Sequence, residues 1–350
     1  MNRKKAVTKE SSDIKELFRN KMKKLKVGII GTGHLGKLHT KMFKSINNCE
    51  LLGIFDSNPA QAKSVSDEFS VPISESIENL LKKIDAVSIA ATTSAHYEIA
   101  KKCFDKNVHV FIEKPITTAI KEAEELVELS EKKKLNLQVG HIERFNPALV
   151  SMEKYINNPM FIQTDRLAQF NPRGTDVAVV LDLMIHDIDI ILSLVKSDVT
   201  DVQANGVAVV SDHLDIANAR LQFENGAVAN VTASRISQKK MRKMRIFQRD
   251  GYVALDFVTG IAEAYRLLPT DADVDPKLFS FGEIGIGEKK KKLVYEQPAQ
   301  KELNALQYEL QLFVDSVLNS TKPIVSGVDG LRALKVAEII IQRIHSHKIS

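Results

Sequence analysis

One stretch near the start, Leu25-Lys26-Val27-Gly28-Ile29-Ile30-Gly31-Thr32-Gly33-His34-Leu35-Gly36, constrains the fold more than any other. An apolar run reads as a buried strand, breaks at Gly31, and gives way to a helical pattern from about Leu35. The glycines fall as G-x-G-x-x-G, and each has its own task. Gly31 lets the chain turn sharply, Gly33 leaves room for a pyrophosphate against the backbone, and Gly36 lets the helix lie close to the strand. The free N–H groups and positive dipole end of that helix then face the phosphates. A second apolar strand, Leu51-Leu52-Gly53-Ile54-Phe55, ends in Asp56, twenty residues after Gly36. A dinucleotide fold places there the carboxylate that takes the ribose hydroxyls. No arginine follows Asp56 to bind a 2′-phosphate, so the pattern predicts NAD rather than NADP.

The first half continues as alternating strands and helices, the mark of a parallel α/β sheet. Asn58-Pro59 opens a helix to about Phe69, Val71-Pro72-Ile73 is a short extended piece, and Ser76 to Lys83 reads as helical. Asp85 to Ala90 is a buried strand ending at Thr92-Thr93-Ser94, after which a helix carries His96 in its first turn. Val108 to Ile112 is a strand that stops at Glu113-Lys114-Pro115, where a cis peptide is allowed. Thr117 or Thr118 caps a helix to about Lys133, and Leu135 to Gly140 is the next strand. In an open α/β sheet, ligands sit at the carboxyl ends of the strands. Gly31, Asp56, Thr92 and Lys114 all fall at such ends.

After His141 to Pro147 the pattern changes. Phe161 to Phe170 reads as a strand, followed by one buried helix and then by strands with hairpin signals at Asn225-Gly226 and Asp250-Gly251. That predicts an open, mainly antiparallel sheet backed by helices on one face, with a second subunit covering the other. Lys289 to Lys292 reads as a solvated loop, and Glu302–Leu318 and Asp329–His345 as amphipathic helices.

The 350 residues carry a net charge of +5, but residues 1–26 alone hold +7, which leaves −2 for the rest. A near-neutral body argues against nucleic acid as a partner. The basic extension, with one amphipathic turn around Ile14, Leu17 and Phe18, reads as mobile. No run approaches the length of a membrane span and no signal-peptide core opens the chain, so the expected location is the cytoplasm. Cys49 and Cys103 sit in apolar contexts and read as packed, reduced thiols.

Val179 to Val195 is apolar nearly all round, yet Asp182, His186, Asp189 and Ser193 form one polar stripe, with Asp187 well off it. Three readings fit: a structural hydrogen-bond stripe, a divalent-metal site, or an acid/base group. Oxidising an alcohol releases a hydride and a proton, and His186 suits the proton, with Asp182 one turn before it. Lys114 is the alternative base or a carbonyl polariser.

These motifs together resemble the Gfo/Idh/MocA family of nicotinamide-dependent oxidoreductases over about Lys24 to His345. The resemblance implies an α/β architecture: an N-terminal Rossmann doubly wound parallel sheet plus a C-terminal α+β domain with an open, mainly antiparallel sheet whose face makes homodimers or homotetramers. The expected layout is a basic tail over 1–23, an NAD-binding domain over 24–146, a substrate-binding and oligomerisation domain over 147–325, and a helix over 326–350 packing back on the domain junction. Lys114, Asp182 and His186 match the family's catalytic residues. Gly31, Thr32, Gly33, His34, Leu35, Gly36, Asp56, Ala91, Thr92, His96, Glu113 and Lys114 are the cofactor-binding candidates. No resident metal is expected. Thr92-Thr93-Ser94 departs from the Thr-Pro of many members.

Within the family, Val139 to Pro147 and Ala168 to Arg173 look most like the bacterial branch that oxidises the 3-hydroxyl of UDP-N-acetylglucosamine. That branch passes the keto sugar to an aminotransferase in lipid A precursor synthesis. A diphosphate needs cations or N–H donors, so Arg144, Arg166, Arg173 and Arg235, with Asn146, Asn171 and Asp182, are the substrate-binding candidates. Other sugars, polyols or tetrapyrrole-like substrates, or a non-catalytic dinucleotide sensor or scaffold, fit the same scaffold.

Overall fold

The computed structural model describes residues 24–346 except 173 and 176. The basic extension over 1–23 and Arg173 therefore lie outside the described residues. Contacts divide the chain into two units, residues 24–140 with 306–328, and residues 141–305 with 329–346.

The first unit is built on five parallel strands, β1 (Leu25–Ile30), β2 (Cys49–Phe55), β3 (Ala86–Ile89), β4 (His109–Glu113) and β5 (Leu137–Gly140), in the order β2-β1-β3-β4-β5. The order reverses at β1, so the crevice beside the β1 and β3 ends is the topological switch point. The crossovers are α1 (His34–Ser45), α2 (Pro59–Phe69), α3 (Ile77–Leu81), α4 (Thr93–Asp105) and α5 (Ile120–Lys133). Helices on both faces explain why β3 and β5 are buried at every position. Asn58 caps α2 by accepting from the Ala60 and Gln61 amides. The N-cap of α5 is Ala119, not Thr117 or Thr118; its N–H donates to Glu122, whose carboxylate also takes the Thr118 hydroxyl. Cys49 and Cys103 are buried free thiols, and burial raises both pKa values, that of Cys49 to about 11.

The core of this unit is completed from far along the chain. Helix α8 (Ala305–Leu318) buries Leu310, Phe313 and Val314 against Phe43, Phe111 and the β1–β2 strands. Phe111 and Phe313 meet edge to face at 5.7 Å. The segment 306–328 thus belongs with the first unit, whereas the sequence suggests a substrate domain running to 325 and a C-terminal helix from 326.

The second unit carries a nine-stranded sheet in the order β13-β14-β12-β11-β10-β6-β9-β8-β7. Its strands are β6 (Phe161–Leu167), β7 (Val199–Val207), β8 (Ile216–Phe223), β9 (Val228–Ser234), β10 (Met241–Gln248), β11 (Gly251–Asp256), β12 (Ile261–Leu268), β13 (Phe279–Ile284) and β14 (Lys291–Glu296). Every pairing is antiparallel except β6 with β9. Gly226, at φ +83°, makes the predicted tight turn between β8 and β9. Lys291 and Lys292 lie in β14, so the expected lysine loop is half strand.

One face of this sheet packs on α6 (Pro147–Met152), α7 (Ile185–Val195) and α9 (Gly327–Ser346). Ala333, Val336, Ala337, Ile340 and Ile344 of α9 are buried in that core, which is why the C-terminal helix belongs with the second unit. The other face carries an aromatic ladder across neighbouring strands. Phe247, Tyr252 and Tyr265 stack at 5.2 and 4.4 Å, and Tyr265 meets Tyr295 at 5.1 Å. Among the described residues, no helix is long and apolar enough to cross a membrane.

Candidate active site

In the first unit, a cavity of about 610 Å³ opens at the switch point. Gly31, Gly33, His34, Leu35, Asp56, Ala91 and Thr92 line it, together with Phe55, Asn58 and Gln61. Each glycine has the geometry its position predicts. Gly31 holds φ +89°, and a Cβ there would lie 2.6 Å from the Ala90 carbonyl carbon and the Ala91 nitrogen. A Cβ on Gly36 would overlap the Gly31 carbonyl oxygen, so α1 sits as close to the turn as a backbone can. A Cβ on Gly33 would meet nothing nearer than Gln61 Oε1 at 3.9 Å, so its open side faces the cavity. Gly33 is the N-cap of α1 and no side chain caps the first turn, which leaves those amides for an anion.

Asp56 is oriented before any ligand arrives. Its Oδ2 accepts from the Thr32 amide at 2.6 Å and the Thr32 hydroxyl at 2.9 Å, and its Oδ1 from the Asn58 amide at 2.8 Å. A carboxylate oxygen has two lone pairs, so Oδ2 is filled by Thr32 while Oδ1 keeps a place for a ribose hydroxyl. The open glycine, the uncapped helix end and this carboxylate fit a dinucleotide.

His96 and Glu113 take other roles than the expected direct contact with cofactor. His96 is 1 % exposed, with Nδ1 3.0 Å from the Pro115 carbonyl oxygen and Nε2 3.1 Å from that of Ala91. It is a clasp between the ends of β3 and β4, and burial lowers its pKa against the pull of those carbonyls. Glu113 is also buried, facing inward to His39. Lys114 closes β4 with its peptide to Pro115 in the cis form, and its side chain is half-buried.

In the second unit, the expected single helix over Val179–Val195 is two pieces, a π-helical turn at Val180–Met184 followed by α7. Asp182 sits in the π turn, a distortion common at functional sites. Asp182 and His186 are half-buried, whereas Asp189 of the same stripe is buried. Gly174, at φ +82°, brings its loop against Asp182; a Cβ there would lie 3.3 Å from Oδ2.

The structure separates Asp189 from the other two because Arg144 grips it with two 2.6 Å hydrogen bonds. His141 lies on the same carboxylate, Nδ1 to Oδ2 at 3.9 Å, and its ring meets that of His186 at 6.5 Å and 89°. Arg144, Asp189 and His141 thus form a buried support behind His186. His141 is not among the residues the sequence singles out, and its one signal there is its place directly after β5.

Three arginines expected to bind a diphosphate are committed to the protein instead. Arg144 is bound as described and also reaches Asp329. Arg166 is 2 % exposed, bidentate to Asp187 at 2.7 and 2.9 Å and bonded to Glu143 at 2.9 Å. Burial pushes the Asp187 carboxyl up against the pull of Arg166. This network, which Arg242 joins through Glu143, accounts for the acid that lay off the stripe. Arg235 is 4 % exposed and donates to the carbonyls of Gly174, Val177 and Leu214, so it ties loops together. Asn146 caps α6 and donates to Glu143 and the Phe257 carbonyl. Asn171 is exposed.

Residues 25–141 match an oxidoreductase family with an NAD-binding Rossmann fold, and residues 156–254 match the GFO/IDH/MocA C-terminal domain. The chain belongs to the Gfo/Idh/MocA family. It is an NAD-dependent oxidoreductase acting on alcohol groups, and the cavity at Gly31 and Asp56 lies within the matched NAD-binding domain. It is 39 % identical to the UDP-N-acetylglucosamine 3-dehydrogenase of Acidithiobacillus ferrooxidans over 243 residues, 69 % of this chain and 77 % of that protein. A solved structure of that enzyme, GnnA, superposes with a TM-score of 0.82 at 32 % identity, covering 93 % of this chain and 99 % of the other. The myo-inositol 2-dehydrogenase of Thermotoga maritima is 24 % identical over 331 residues, 89 % of this chain and 93 % of that protein.

Proposed function

We propose that the protein oxidises the 3-hydroxyl of the sugar in UDP-N-acetylglucosamine, with Lys114, Asp182 and His186 as its catalytic residues. The observation that carries this reading is the 39 % identity to an enzyme named for that reaction, set against 24 % to an inositol dehydrogenase. Bound NAD supplies the hydride acceptor. The chain's residues must then take the hydroxyl proton and steady the developing carbonyl. His186, backed by the His141–Asp189–Arg144 support, takes the proton; Lys114 polarises the oxygen; Asp182 orients the hydroxyl. A second copy covers the aromatic face of the nine-stranded sheet, and an aminotransferase consumes the ketone in lipid A precursor synthesis.

Alcohol oxidation by NAD is uphill near neutral pH, so the keto sugar accumulates poorly and turnover rises when an aminotransferase and amino donor remove it. Mass spectrometry of that coupled reaction is expected to show a UDP-sugar with a new amine at C3. Failure of UDP-N-acetylglucosamine to bind or react, with NAD reduced by a free sugar or polyol such as myo-inositol, would replace this substrate with the polyol reading.

A further inference from the structure

His39 lies on α1, three residues after the last glycine of the nucleotide loop, and is fully buried. Its Nδ1 is 2.7 Å from Ser88 Oγ on β3, and its Nε2 is 2.9 Å from Glu113 Oε1 at the end of β4. The ring packs edge-on against Phe111 at 5.5 Å, which fixes its plane. The other oxygen of Glu113 accepts the Lys114 amide at 3.3 Å. The carboxylate is confined on its remaining side as well, because a Cβ on Gly140 would lie 2.9 Å from Oε1. One buried carboxylate at the end of β4 therefore meets α1 through His39 and β5 at Gly140, directly beside the lysine.

We infer that His39 is a positioning residue for Lys114, acting through Glu113. A lysine on a strand end has a long, flexible stem, so an anchored main chain and a fixed neighbouring charge narrow where its ammonium resides. Burial by itself pushes the Glu113 carboxyl up. The hydrogen bond from His39 comes next in size, followed by the charges of His39 and Lys114 and the Lys114 amide, and together these hold the carboxyl below its ordinary value. The titratable groups facing Glu113 are His39 on α1, His96 on α4 and Lys114 itself. The glycine loop and the lysine are thus joined by one side chain: α1 presents its N-terminus to the pyrophosphate site and His39 to the carboxylate beside Lys114.

The catalytic consequence rests on the role proposed for Lys114; the positioning itself does not, and the two are read separately. Acetylation of Lys114 by an N-hydroxysuccinimide ester, followed by peptide mass spectrometry in the full-length protein with NAD, reports the lysine directly. Lys63 and Lys154, each with a side chain 72 % exposed, are internal standards. In His39→Leu the donor is lost, Glu113 shifts toward its neutral form, and the Lys114 ammonium loses its neighbouring charge. Its acetylation is expected to rise about threefold or more, the standards unchanged. His39→Gln, which keeps an N–H donor, is expected to stay near wild type. If His39→Leu fails to fold, Glu113→Gln carries the same expectation. Lys114 acetylation that does not change, or that rises in step with the standards, overturns the inference. Turnover with UDP-N-acetylglucosamine and with myo-inositol separates the second question. Wild-type turnover in Lys114→Ala defeats the role proposed for the lysine and leaves the acetylation result to decide His39. Where Lys114→Ala is impaired, adding His39→Leu is expected to cost nothing further; independent, additive losses count against action through Lys114.

Discussion

Asp56 can select the cofactor because its carboxylate is already aimed by Thr32 and Asn58 and lines the cavity. Its charge repels a 2′-phosphate, so Asp56→Asn is expected to weaken NAD about tenfold and to narrow the gap to NADP. Titration of both cofactors checks this; an unchanged NAD affinity would place the ribose elsewhere. At the reacting end, Lys114→Ala and His186→Ala are each expected to lower turnover about 10²–10⁴-fold while NAD affinity stays near wild type. Kinetics with separate NAD titration checks it, and wild-type turnover in His186→Ala would move the base role to Lys114. The glycine turn, the helix start and the strand-end acid were legible because each depends on local geometry. The arginines were not, because a charge in sequence carries no record of its partner. Arg166 and Arg235 read as free cations, yet the fold spends one on Asp187 and Glu143 and the other on three carbonyls.

Between β7 and β8, a loop with exposed Val209 and Val210 is organised by one buried acid. Asp215 accepts from the amides of Val209, Val210 and Ser211 and from the Ser211 hydroxyl, with Arg235 Nε 3.7 Å away. Burial works to raise this carboxyl, but the Val210 and Val209 amides and the Ser211 bonds outweigh it and bring the pKa down to about 2. A carboxyl with a lowered folded pKa stabilises fully above its unfolded value of 3.8 and loses that contribution as pH falls toward 2. Asp215→Asn is therefore expected to destabilise the protein at neutral pH, with the gap to wild type shrinking below about pH 4. Urea melts across that range measure it; a gap independent of pH would assign the effect to shape instead of charge. The same dependence on context explains the region over Val179–Val195. Its polar stripe was visible at helical spacing, but the π turn shifts the register between Asp182 and the α-helix. Spacing alone cannot show such an insertion, since no Gly or Pro marks the turn.

At the scale of the molecule, the parallel and antiparallel halves were legible from alternating elements and hairpin glycines, whereas the assignment of the last two helices was not. Both α8 and α9 announce an apolar face, and a face does not say which core it meets. α8 buries Leu310, Phe313 and Val314 in the first unit, far from them in sequence, and α9 buries Ala337 and Ile340 in the second. Hydrogen bonds repeat the message, since the Val139 amide donates to the Val325 carbonyl at 3.0 Å and the Asn136 side chain donates to Ser316 Oγ at 2.8 Å. The NAD-binding unit is therefore discontinuous, and a fragment that stops after β5 exposes the apolar surface that α8 covers. Residues 24–140 alone are expected to lack a cooperative melt and to bind NAD poorly. Joining them by a flexible linker to residues 306–328 is expected to restore both, because the linker costs only slowly growing loop entropy while the helix returns its buried side chains. Phe313→Ala in the full chain, which empties a fully buried aromatic site, is expected to cost about 3–5 kcal/mol in urea melts. A cooperative melt and full NAD affinity in the fragment without 306–328 would show that the five strands and their own crossovers suffice, and that α8 stabilises a unit already complete.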